Sequence, residues 1–337
     1  MIGKKIFSIL AFLLLIGTIQ YTTQAMNLKS TKISTSQKSL LLVKNEKVSY
    51  WGVIIGIFEY ENGAQLSSKA VRDMYSAMLS SKNWNEDNLK FITNEKATKE
   101  GIKSAIKWLA NVSDEDDFVF FYYNGHCGQF PDDDGDEKDG KDEALIPYEY
   151  NESTKSPIAR DDELDQWFDL VKAKGICLIF DTCHSGGLVE NDNDYLSMKN
   201  TAKHNLIKEF VCDLESKDRV IIVSSPEAFL TYVHQGLGGT LTIGLSIGLR
   251  GFADFNMDRQ CSAEEAFRFV KMFQILLIAG GIGLSIAMGL IDPTLILCIP
   301  VAWLIVEIIT YLNHHSFVLS FALMYDGYEG QLPILEL

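Results

Sequence analysis

A chain of 337 residues with 47% apolar and 22% charged residues can bury a sizeable core, which excludes a disordered or collagen-like polymer. A formal net charge of −15 repels phosphate backbones, which excludes general nucleic-acid binding and suits calcium or basic polypeptides as ligands. The 6 cysteines are too few and too scattered for a disulfide scaffold, and no internal repeat is present.

Lys4 and Lys5 precede an apolar run from Ile6 to Ile19 and a polar stretch that ends at Ala25. This is the order of a secretory signal. Thr23 is a weak residue two places before the cleavage position, so an uncleaved signal anchor over 1–25 is the alternative. Residues 26–46 are polar and rich in Ser, Thr and Lys, as expected of a tether.

From there, short apolar runs alternate with helical spacing. Strands are predicted over Ser49–Ile57, Leu89–Thr93, Asp117–Tyr123, Ile176–Phe180 and Arg219–Ser224. Helices are predicted over Lys69–Leu79, over Thr98–Leu109 with a Thr cap and Glu100 nearby, and over Asp161–Ala173. Alternation of this kind predicts an α/β fold with a mostly parallel sheet covered by helices on both faces. In such sheets, sites lie just beyond the carboxyl ends of the strands.

Two strand ends carry reactive residues. The third strand runs into Asn124, Gly125, His126, Cys127 and Gly128, and the fourth into Asp181, Thr182, Cys183, His184, Ser185, Gly186 and Gly187. A His at one parallel strand end and a Cys at another can face each other as a base and a nucleophile. A Cys₂His₂ zinc site built from His126, Cys127, Cys183 and His184 is the rival reading, with adjacent ligands at both ends giving poor tetrahedral geometry.

The acidic loop 132–143 supplies candidate calcium ligands in Asp132, Asp134, Asp136 and Asp139, and a solvated acidic loop is the bland alternative. A second candidate, Asp254, Asn256, Asp258 and Glu265, has the carboxylate spacing of an EF-hand loop. Arg259 replaces the turn glycine there and would need a positive φ, so the loop reads as a degenerate relic.

Met272–Ile291 carries no charge, and Leu295–Leu312 carries only Glu307. Each is long enough to cross a bilayer, which predicts a transmembrane helical hairpin over 272–312. Lys4 and Lys5 favour a cytoplasmic N-terminus and hence an extracytoplasmic main domain, against the opposite signal from Arg268 and Lys271. Asn111 and Asn151 open glycosylation sequons that matter only in that case. The Gly and apolar content, without organellar signals, points to a prokaryotic membrane.

Together these motifs resemble those of caspase/metacaspase-type cysteine peptidases. FYYNGHCGQ resembles the family's histidine motif, IFDTCHSGGL its cysteine motif, and DDDGDEKDGKDEALIP the acidic loop of metacaspases. VIIGIFEYENGAQLSSKAVRDMYSAML resembles the first strand–loop–helix. The resemblance covers roughly 48–271 and resumes near Met324–Pro333, so a caspase-like domain over 47–271 is expected to be completed by 313–337 around the membrane hairpin.

The resemblance implies Cys183 as nucleophile, His126 as general acid/base, and the backbone N–H groups of Cys127 and Cys183 as oxyanion donors. The family has Gly at position 127, and a Cys side chain there is expected to crowd the crevice. Asp73 and Asp181 match acidic residues of the substrate pocket, which implies cleavage after Arg or Lys; Asp181 has the alternative role of capping a helix or orienting His126. The chemistry requires no cofactor, and Ca²⁺ is an implied activator. Polypeptides and a membrane are the implied partners. An inactive, membrane-tethered recognition module is the alternative, and self-cleavage after a lysine within 188–218 is a further expectation.

Overall fold

The computed structural model describes residues 48–64, 66–135, 140–184, 210–211, 214–224, 239–274 and 322–337, with the backbone alone at 183, 184 and 323. The signal segment and tether, and all but the first three residues of the apolar hairpin region, lie outside the described residues. Among the described residues, no helix is long and apolar enough to cross a membrane.

The chain alternates strand and helix as its apolar runs predict. β1 (Tyr50–Gly56), α1 (Ser68–Leu79), β2 (Leu89–Thr93), α2 (Lys99–Val112) and β3 (Phe118–Pro131) follow in order. The short β4 (Lys141–Leu145) and β5 (Ala159–Arg160) lead into α3 (Asp161–Phe168), β6 (Gly175–His184) and β7 (Arg219–Val223). α4 (Thr240–Ile247), β8 (Gln260–Ser262) and a helix over residues 263–274, α5, precede β9 (Leu323–Asp326) and β10 (Pro333–Glu336). The Thr98 hydroxyl accepts from the Gly101 amide and caps α2, as its sequence indicates.

The main sheet runs β2-β1-β3-β6-β7-β9 and is parallel except for its last pair, β7 with β9. Each central strand is buried on both faces. Val119, Phe121 and Tyr123 of β3 join one core layer with Ile102, Ile106 and Leu109 of α2 and with Leu164 and Phe168 of α3. Phe118, Phe120 and Tyr122 join the opposite layer with Val71 and Met74 of α1, Leu241 and Leu245 of α4, and Ala266 of α5. That double burial is why these strands read as continuous apolar runs rather than alternating ones. α1 lies close on β1: a Cβ on Gly56 would stand 2.4 Å from a Val71 methyl.

Two elements differ from expectation. α3 ends at Phe168 instead of reaching Ala173, because the chain turns there, with the Val171 amide on the Phe168 carbonyl, to enter β6. β3 runs on to Pro131, well past Tyr123. β1 accompanies it only to the pairing of Gly56 with Asn124, after which β4 folds back as an antiparallel partner, from Cys127 opposite Leu145 to Pro131 opposite Lys141.

Candidate active site

The chain passes from β1 to β2 on one side and then to β3 on the other, so β1 and β3 flank a switch point where parallel sheets place sites. At the carboxyl end of this region, β3 and β6 pair in register through their last shared rungs: Asn124 with Asp181, Gly125 with Thr182, His126 with Cys183, and Cys127 with His184. Neighbouring strands lie about 4.8 Å apart. His126 and Cys183 are therefore rung partners, and the backbone alone brings the two residues onto adjacent strands at one level.

His126 is buried, and its ring stacks on Tyr60 with centroids 4.9 Å apart. Its amide donates to the Tyr60 hydroxyl at 2.7 Å, and its carbonyl accepts from the Ile146 amide at 3.0 Å. Gly125 is required here: a Cβ would stand 2.6 Å from the Tyr123 hydroxyl oxygen and 3.0 Å from that of Tyr60. The Gly before the His thus has a local cause in two tyrosine hydroxyls.

The Cys127 side chain packs against the core layer of α2 and α3, with its thiol hydrogen bonded to Thr182. Burial pushes this thiol up to about 11, partly opposed by the Thr182 contact and reinforced by Glu143. It is a neutral thiol, and a poor nucleophile, at ordinary pH.

Asp181 lies buried beneath the start of α4. Its carboxylate accepts from both the hydroxyl and the amide of Thr242, and the Tyr122 hydroxyl lies 2.5 Å from the Thr242 oxygen. Thr242 is the third residue of α4, so Asp181 caps that helix, the second of the two roles its sequence allows. Gly239 leaves room for it, since a Cβ there would meet the carboxylate at 2.7 Å. Burial raises the Asp181 pKa, while hydrogen bonds from Thr242 and Ser224 pull it down. Asp73 instead stands on the exposed face of α1 in an ion pair with Lys69. The two acidic residues matched to a substrate pocket therefore have separate partners.

In the acidic loop, one Asp132 oxygen accepts the amides of Asp134 and Gly135, at 3.0 and 2.6 Å. Asp136 and Asp139 lie outside the described residues. Arg160 bridges Asp133 at 3.0 Å and the buried Asp142. Burial, then Asp133, Asp132 and Asp162, raises the Asp142 pKa against the pull of Arg160. Burial followed by Asp134, Asp133 and Asp132 raises that of Asp162.

The loop at 254–265 does adopt the positive φ that Arg259 demands, at 67°. Its acceptors are turned on its own backbone: Asp254 takes the Asp258 and Arg259 amides, Asn256 takes the Asp258 amide, Asp258 that of Gln260, and Glu265 those of Phe255 and Asn256. The four residues named as calcium candidates, Asp254, Asn256, Asp258 and Glu265, thus close this loop on its own amides. Among the described residues, no group of three or more Asp, Glu, His or Cys side chains is arranged to hold a metal ion.

Sequence reasoning missed Tyr60 and Thr242, which contact the two functional strand ends from outside both motifs. The only signal for Tyr60 was its place in the loop that follows the first strand.

Residues 52–192 match the family described as "Metacaspase, peptidase C14 domain". Metacaspase-1A of Aspergillus oryzae is 30% identical over 167 residues, which are 47% of this chain and 39% of that protein. Metacaspase-1 of Coccidioides immitis is 31% identical over 167 residues, 47% of this chain and 36% of that protein. The chain thus spans under two-fifths of the length of these curated relatives. The solved structure of pro-sf-caspase-1 aligns with 86% of this chain and 95% of its own at a TM-score of 0.47 and 12% identity. Residues 52–192 of this chain are therefore similar to the peptidase C14 domain of metacaspases.

Proposed function

We propose that the protein is a cysteine endopeptidase with Cys183 as nucleophile and His126 as general acid/base. The observation that carries this reading is the rung pairing of the two residues at the carboxyl ends of β3 and β6, inside the stretch similar to metacaspase peptidase domains. His126 takes the Cys183 proton, and the thiolate attacks the scissile carbonyl. The resulting oxyanion is held by the backbone N–H groups of Cys127 and Cys183. His126 then protonates the departing amine, and water, deprotonated by His126, releases the acyl group from Cys183.

Cleavage after Arg or Lys belongs to the same proposal. The match of Asp73 and Asp181 to acidic pocket residues and a chain net charge of −15 support it. A cationic side chain gains more there than a carboxylate would. Ca²⁺ bound in the 132–143 loop by Asp132, Asp134, Asp136 and Asp139 is the proposed activator. A divalent cation would relieve the like-charge crowding that, after burial, lifts Asp142 and Asp162. The apolar runs of 272–312 support membrane attachment. The residues on either side of them, Val270 and Ala322, lie in one core layer, as an insertion within a single domain requires.

Hydrolysis of fluorogenic peptides ending in Arg, Lys or Asp, with and without millimolar Ca²⁺, tests the reading. Release after Arg or Lys is expected, with loss of about a thousandfold or more in Cys183→Ala and His126→Ala. Release only after Asp overturns the specificity, and activity that survives Cys183→Ala overturns the nucleophile. The alternative, an inactive recognition module, rests on the sequence alone, where Cys127 stands in place of the motif's Gly. Silence from folded protein, with hydrolysis gained in Cys127→Gly, would establish it.

A further inference from the structure

We propose that Tyr60 is the positioning residue of His126, fixing both the plane of the imidazole and the backbone that carries it. Its consequence for turnover rests on the peptidase reading above, while its placement rests on geometry alone. The two rings are stacked with 27° between their planes and centroids 4.9 Å apart, and both residues are buried. Stacking occupies a face of the imidazole and leaves its edge, where both nitrogens lie, to exchange protons. It also resists rotation of the ring, which must present one nitrogen edge first to a thiol and then to a leaving amine.

The hydroxyl of the same tyrosine accepts the His126 amide at 2.7 Å. It is hydrogen bonded to the Tyr123 hydroxyl, which itself donates to the Ile146 carbonyl at 2.8 Å. The Tyr123 hydroxyl also reaches the His126 carbonyl, at 3.1 Å, so the two tyrosines hold both backbone groups of the histidine. The contacts run from the His126 amide through both tyrosines to the Ile146 carbonyl at β4's exit.

Tyr60 is itself clamped. Buried Asn94, at φ 45°, accepts the amides of Phe58 and Glu59 on its side-chain oxygen at 3.1 and 3.2 Å. The turn after Tyr60 closes through its amide on the Ala64 carbonyl and the Gly63 amide on its own carbonyl, both at 2.9 Å. A left-handed Asn after β2 therefore sets the loop after β1, which sets the histidine of β3.

The test compares Tyr60→Phe, Tyr60→Leu and Asn94→Ala by steady-state kinetics on an Arg peptide. In parallel, the ring protons of His126 are followed by NMR in a Cys183→Ala background. Tyr60→Leu is expected to lower kcat about tenfold or more with KM held within about twofold, because misplacement affects the step rather than the binding. Tyr60→Phe is expected to keep the upfield ring-current shift of the His126 protons and lose less; Tyr60→Leu is expected to lose that shift. Asn94→Ala is expected to lower kcat alone, and to add nothing in the double variant with Tyr60→Leu.

Wild-type kcat in Tyr60→Leu, or an unchanged His126 shift, overturns the proposal. If Tyr60→Leu does not fold, wild-type kcat in both Tyr60→Phe and Asn94→Ala overturns it. Should the wild-type protein show no Cys183-dependent hydrolysis, the peptidase reading falls by itself, and the NMR shift alone decides whether Tyr60 holds the ring.

Discussion

The Cys127 thiol lies one residue beyond His126 on β3, and burial decides its chemical prospects. The Cys127 thiol is lifted to about 11 by desolvation and by Glu143. At pH 8 its thiolate is then about one part in a thousand, against roughly a tenth or more for an ordinary thiol. Iodoacetamide at pH 8, followed by peptide mapping, is expected to modify Cys127 about a hundredfold more slowly than a free cysteine. The expectation that this side chain crowds the crevice came from motif position alone. Strand alternation was the missing information: it turns Cys127, like Phe121 and Tyr123, towards the α2/α3 core layer, where its thiol meets Thr182.

At the scale of elements, α4 begins on a buried carboxylate, and this makes its stability depend on pH. Burial raises the Asp181 pKa above that of the unfolded chain, so the folded state holds the proton more tightly. The associated stability is fully present below the ordinary carboxylate pKa and is lost as pH rises through the raised value. Asp181→Asn keeps an acceptor for Thr242 without the charge. Its urea midpoint relative to wild type is expected to rise between pH 4 and pH 7, and a constant difference would refute the linkage. Asp181→Ala removes the cap and is expected to cost about 1–2 kcal/mol.

This helix also shows where the sequence stops being legible. TLTIGLSI is apolar on nearly every side because Leu241, Leu245 and Thr242 are all buried, so it lacks the stripe that marked α1 and α2. β4 was illegible for the opposite reason: KDEAL reads as the tail of an acidic loop, and only its pairing with the extended β3 makes it a strand. The four central strands β1, β3, β6 and β7 were legible because double burial writes them as apolar runs that stop at polar residues, and with them the two strand ends that carry His126 and Cys183.

Over the whole molecule, the last fifteen residues are stitched back into parts of the fold far away in sequence. β9 closes the sheet edge on β7, and β10 pairs with β8. The Ile334 carbonyl accepts from the Trp84 indole at 2.8 Å, and the Ala263 amide donates to the Leu332 carbonyl at 2.9 Å. Leu332, Ile334 and Leu335 are buried with α1, α4 and α5. A chain ending before residue 322 is expected to lose its cooperative unfolding transition in urea, because the layer beneath α1 and α4 is opened. Such long-range returns leave no local trace in sequence, since four-residue strands carry too little pattern to be recognised without their partners.

The rung pairing of His126 and Cys183 makes the spacing of the two residues' backbones a property of the sheet's repeat rather than of any loop. Under the proposed mechanism, substrates must conform to a spacing set by the stiffest part of the protein. That spacing is also digital: a slip of one residue between β3 and β6 would set Gly125 or Cys127 opposite Cys183, with nothing between a working pair and none at all. Loops around the two strand ends are free to vary in length and composition so long as they leave the strands in step.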